Sequence, residues 1–131
     1  MIASPLRILA LVMLGGALGA GTRHLVGAWM LRHYTSGWPL ATLAVNLAGA
    51  FLAGLLFAWL EARGPAALPW RAFLIVGVLG GMTTFSALML ECLLFARTDR
   101  PGMLAAYLGA TLVGGMALVW AGALLGRATH G

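Results

Sequence analysis

Two short segments hold most of the side chains able to do chemistry in this chain. In the first, Asn46 has Thr42 at i−4, Gly49 at i+3 and Ala53 at i+7, one narrow small-and-polar stripe on an otherwise greasy helix. In the second, Gly77, Gly80 and Gly81 precede Met82, Thr83, Thr84, Phe85 and Ser86. Amides and hydroxyls offer hydrogen bonds without fixed charge, which suits a pathway for a species that accepts hydrogen bonds and must leave again. A buried Asn that simply bonds a neighbouring helix is the other reading of Asn46. Adjacent glycines followed by hydroxyl residues suit a discontinuous helix, because a break frees backbone groups able to hold an ion. A straight helix with packing glycines, its Ser and Thr bonded to their own carbonyls, stays open as well. Phe85 and Leu88 stand at i and i+3 and face the same way, which reads as core; a Phe edge is also electropositive and can favour an anion.

The other polar residues narrow the chemistry. No carboxylate precedes Glu61, so the first half of the chain has no proton relay, and Glu91 lies beyond the expected break, where pairing with a hydroxyl or an arginine is favoured. Thr22, Arg23 and His24 end the first apolar segment; Arg23 either snorkels or sets a positive field at a pore mouth. Tyr107 and Thr111 are the polar residues of the last segment. His24, His33 and His130 lack metal-ligand spacing, and no nucleophile, base and acid come together as an enzyme requires. Cys92, the single cysteine, can form no intrachain disulfide and reads as packing.

The elements that position these residues follow from composition. Of 131 residues, 8% are charged and 62% hydrophobic, and the mean hydropathy is +0.98. Soluble domains carry roughly 25% charged residues, so lipid is the solvent. All eight cations are arginines, scattered singly, which speaks for membrane-edge anchoring and against a nucleic-acid partner. Apolar runs over residues 8–31, 38–60, 72–96 and 101–125 give four spans in a single four-helix transmembrane domain, residues 1–131, an all-α membrane protein. The start also has signal-peptide grammar, but Gly15, Gly16 and Gly19 are odd in such a region and the run continues to Leu31. The end holding both termini has Arg7, Arg63, Arg71 and Arg127, against Arg32, Arg97 and Arg100, with Arg23 if it reaches that surface. That balance gives no preferred orientation and predicts insertion both ways. Gly15/Gly19 and Gly77/Gly81, spaced i, i+4, pack helices closely either within one bundle or between subunits. With dual insertion, the pattern favours an antiparallel homodimer, an inverted repeat made from two chains.

GGALGAGTR (residues 15–23), TLAVNLAGAFLAG (42–54) and GVLGGMTTFS (77–86) together resemble the signature segments of the Fluc (CrcB) fluoride channels. The resemblance implies an antiparallel dual-topology dimer in a prokaryotic plasma (inner) membrane, with two fluoride pores and a central sodium ion, through which accumulated fluoride leaves passively. By the same resemblance Asn46 is the pore asparagine, Phe85 the first of a pair of pore phenylalanines, and Thr84 and Ser86 the hydroxyl residues beside it. Gly80 and Thr83 match the positions whose carbonyls hold sodium, two residues from each subunit. Glu91 matches an acidic residue late in the third helix, Tyr107 a tyrosine of the fourth, and Arg23 the arginine closing the first segment. Leu88 stands where the family usually has its second pore phenylalanine. Hydroxyls expected along the fourth helix are missing, with Gly115 and Val119 near those positions and Thr111 a candidate substitute.

Two other classes fit parts of the pattern. A small dual-topology multidrug exporter also has four spans, but it needs a carboxylate in its first helix. A non-transporting membrane assembly subunit explains the packing glycines and leaves the cluster of Asn46 with residues 83–86 without a purpose.

Overall fold

The computed structural model describes residues 3–130. Helix α1, Pro5–His33, begins where Ser4 accepts a hydrogen bond from the Arg7 amide (3.3 Å) and Pro5 takes the first helical position. It ends at Tyr34, whose backbone turns extended. Helix α2 is Leu40–Glu61. A 3-10 turn, Gly64–Ala67, follows, entered through Gly64 at φ +60, a conformation that favours glycine. Residues 68–82 form one continuous helical run, α3, whose middle, Arg71–Leu79, is π-helical. After two extended residues, Thr83 and Thr84, the chain resumes as α4, Phe85–Arg97. The last helix, α5, is Pro101–Ala128. Four stretches are long and apolar enough to cross a membrane: Pro5–His33, Leu40–Glu61, Gly64–Arg97 and Pro101–Ala128.

The third span is therefore discontinuous, and the interruption does not fall on the glycine pair. Gly80 and Gly81 remain helical, and the break lies two residues further on. The reason is packing. A side chain at Gly81 would strike the backbone of Gly16, one at Gly15 the Phe73 carbonyl, and one at Gly19 the Val78 carbonyl and the Met82 amide. These glycines let α1 and α3 lie backbone to backbone, and both Gly15/Gly19 and Gly77/Gly81 are used inside the chain. Their close approaches are therefore accounted for within one chain, the first of the two readings of these pairs. A second zipper closes α2 on α5: Gly54 faces the Val119 carbonyl, Gly122 the Phe51 carbonyl and Gly126 the Leu55 carbonyl.

Two small cores lie between these pairs. Leu88, Cys92, Phe95 and Tyr107 form one, with Leu43 and Leu104 against it; Val45, Leu79 and Met82 form the other. Cys92 is buried packing. The start of α1 and the end of α5 lie at one end of the bundle. Arg7 and Ser4 flank the same crevice as Pro65 and Leu68, and the His130 ring nitrogen Nε2 is 3.0 Å from the Trp59 carbonyl. At the other end Arg100 lies against Gly37. Large apolar side chains such as Leu14, Leu18, Val113 and Trp120 stay exposed along the helices, as lipid contact requires.

Candidate functional site at the helix break

The break strands backbone groups in apolar surroundings, where each must find a partner. Asn46, in the second turn of α2, supplies two of them. The Thr84 amide donates to Asn46 Oδ1 (2.8 Å), and Asn46 Nδ2 donates back to the Thr84 carbonyl (3.0 Å). One amide thus closes both sides of Thr84 and keeps a second N–H in hand. Of the two readings of Asn46, the bond to a neighbouring segment is the one seen, and that segment is the break. Thr84 Oγ1 then caps α4 by accepting from the Ala87 amide (3.2 Å), with Ser86 Oγ 3.4 Å away. Thr83 Oγ1 returns to its own helix at the Leu79 carbonyl (2.8 Å). Arg23 Nε reaches from α1 to the Gly81 carbonyl (3.4 Å), a cation at the carboxyl end of α3.

Four carbonyls at the break, those of residues 80–83, lose the amide donors of a continuous helix. In an unbroken helix the Gly80 carbonyl would take the Thr84 amide and the Thr83 carbonyl the Ala87 amide. The first is given to Asn46 and the second to Thr84 Oγ1. Gly80 and Thr83, the positions that the resemblance implies for sodium, are two of these four, the Gly81 carbonyl taking Arg23, and backbone oxygens are ligands suited to a hard cation. Among the described residues, no group of His, Cys, Asp or Glu side chains could hold a metal ion.

The break opens on a shallow groove of about 670 Å³, mostly apolar, whose walls include Asn46, Gly80, Thr83, Thr84, Phe85 and Leu88. Thr111 and Gly115 of α5 complete it. Val119 instead packs on Gly54. Phe85 and Leu88 part company despite their i, i+3 spacing: Phe85, at the first position of α4, is 73% exposed, and Leu88 is 4% exposed. Leu88 is a wall residue anchored in the core with Tyr107 and Phe95.

A second polar cluster sits one turn along α2. Thr42 Oγ1 donates to Glu91 Oε1 (2.6 Å) and the Tyr107 hydroxyl donates to Glu91 Oε2. Tyr107 is 0% exposed, with Trp38 and Phe95 edge-on to its ring. It does not reach the groove. Thr111 Oγ1 bonds the Tyr107 carbonyl (2.9 Å). Glu91 also borders a separate crevice of about 270 Å³ beside Tyr34 and Trp38. The expected pairing of Glu91 with a hydroxyl holds; which hydroxyls, Thr42 and Tyr107, the sequence left open. The available signal was that a carboxylate at membrane depth needs donors, and the hydroxyls in the spans are few.

Residues 10–123 match the family described as CrcB-like protein, Camphor Resistance (CrcB). The chain is 57% identical over 119 residues to the fluoride-specific ion channel FluC of Xanthomonas euvesicatoria pv. vesicatoria (strain 85-10), covering 91% of this chain and 90% of that protein. It is 53% identical over 118 residues to the protein of the same name from Xylella fastidiosa (strain 9a5c), covering 90% and 82%. The FluC of Agrobacterium fabrum (strain C58 / ATCC 33970) is 44% identical over 119 residues, covering 91% and 95%.

Proposed function

This chain belongs to the CrcB-like family, a multi-pass membrane protein family with members named fluoride-specific ion channels, and from that premise we propose that it is a passive fluoride channel that lowers cytoplasmic fluoride. The observation that carries the reading is the neutral donor set on an open groove: the spare Asn46 N–H, the hydroxyls beside it and the exposed Phe85 edge. Fluoride is small and strongly hydrated. A fixed cation among these donors would trap it, whereas amide and hydroxyl groups replace water and release the ion again. The groove is open on one side, and a second copy laid antiparallel across it would close it and supply the opposite wall. Such a dimer also accords with the near-even arginine balance. On its axis, Gly80 and Thr83 carbonyls from each copy fit a sodium ion, whose positive charge would lie near the break; Asn46 and Thr84 keep those carbonyls free of amide donors. The membrane is the inner membrane of a prokaryote.

Purified protein in liposomes tests this. Fluoride-loaded vesicles release fluoride when valinomycin clears the charge, and chloride-loaded vesicles do not; fluoride efflux equal to that of protein-free vesicles overturns the channel. Reporters fused to the C-terminus give signal on both sides of the membrane, and strong signal on one side alone rejects dual insertion.

A further inference from the structure

The two ends of the bundle carry crevices of opposite character. At the end away from the termini, both crevices are bordered by Glu91 and by no arginine. At the terminal end, two adjoining crevices of about 640 and 410 Å³ share Pro65 and Leu68; Arg7 lines the first, Arg71 the second, and no carboxylate lines either. We propose that this paired crevice, over the turn Gly64–Ala67, binds the phosphate headgroup of an anionic phospholipid between Arg7 and Arg71.

Arg71 is not a freely snorkelling side chain. Its guanidinium lies 5.7 Å from the Phe57 ring centroid, and its Nε is enclosed by protein with no acceptor. Arg63, at the start of the same turn, shows what a satisfied arginine looks like here: it donates to the Trp59 carbonyl (3.3 Å) and lies over the Trp59 ring. Arg71 is therefore held in place with its Nε turned inward, and an acceptor from outside the chain meets the part of the side chain that lines the crevice. The depth is right for a headgroup. The crevice sits at the ends of membrane-spanning helices, where Trp59 and Trp70 stand at the level that indole rings favour. The exposed Leu6, Leu68 and Trp70 beside it offer an apolar flank to the acyl chains. Soluble phosphate would share the arginines and gain nothing from that flank.

The test uses full-length protein reconstituted in phosphatidylcholine doped with phosphatidylglycerol, with retained lipid counted by native mass spectrometry after extraction. Wild-type protein retains phosphatidylglycerol over phosphatidylcholine. Removing a charge-assisted contact to phosphate lowers the preference at least about tenfold, so R7Q alone loses about tenfold or more and R7Q/R71Q loses more than either single variant. The exposed R7Q carries the test by itself if the double variant does not purify folded. R32Q/R97Q removes equal charge at the other end and leaves retention unchanged. Equal losses in both double variants would mean diffuse charge attraction only and overturn the site, as would unchanged retention in R7Q. Displacement of the lipid by millimolar inorganic phosphate would overturn the lipid assignment. Because the readout is retained lipid, the result stands whether or not the protein conducts fluoride.

Discussion

Thr42 and Asn46 stand one turn apart on α2, and the clusters they join differ in what they leave unspent. At Thr42 the accounts are closed: Glu91 accepts from two hydroxyls on two other elements, and Tyr107 is wholly enclosed. At Asn46 the amide holds the break together with one donor and one acceptor, yet a second N–H, the Gly80 and Thr83 carbonyls and an exposed Phe85 remain on a groove. A satisfied polar cluster in apolar surroundings fixes structure; a partly satisfied one is placed to take a guest. On the proposed function the open cluster is the one placed to meet the ion, while the closed one ties α2, α4 and α5 together.

The largest expected effect comes from Asn46→Asp. The substitution replaces the donor to Thr84 with a second oxygen facing a carbonyl, and puts a negative charge where an anion passes. Fluoride efflux falls by at least about a hundredfold, the scale seen when a donor aimed at an anion is removed. Unchanged efflux would take Asn46 off the route and erase the contrast between the clusters. Glu91→Ala is next. It strips the partner from a buried tyrosine hydroxyl, which costs about 1–3 kcal/mol, read as a lower unfolding midpoint in detergent. Glu91→Gln, which keeps an acceptor, loses less. An unchanged midpoint for Glu91→Ala would show that the closed cluster does not hold the fold.

How much of this could be read from the residues depended on whether a property was local. The spans are local, since each is a long run without charge, and the sequence located all four. The break was half local. Glycines and hydroxyls announced it, but its position at Thr83 and Thr84 reflects the demand of α1, which presses on Gly77 and Gly81 and keeps that stretch helical. The π-helical stretch Arg71–Leu79 left no mark in the pattern of residues, because it belongs to how α3 lies against α1. Pairings across helices were the least legible. Asn46 with Thr84 and Glu91 with Tyr107 depend on rotation about helix axes, which hydrophobic periodicity cannot fix when every face is apolar.

Phe85→Leu is the smallest effect and the most discriminating. Phe85 is 73% exposed and Leu88, three residues on, is 4% exposed, so the same ring-to-Leu difference is already present within one turn of α4. Because Phe85 packs on little, replacing it changes stability by no more than about 0.5 kcal/mol. What it does remove is an electropositive ring edge beside the Asn46 donor. Weak contacts of this kind are worth about 0.5–1 kcal/mol, so fluoride efflux falls by about two- to fivefold at an unchanged unfolding midpoint. A lowered midpoint with efflux preserved would reverse the assignment and make Phe85 a packing residue. The closed cluster would then have to be reconsidered as the site that meets the ion, because Glu91 has its own crevice at that end of the bundle.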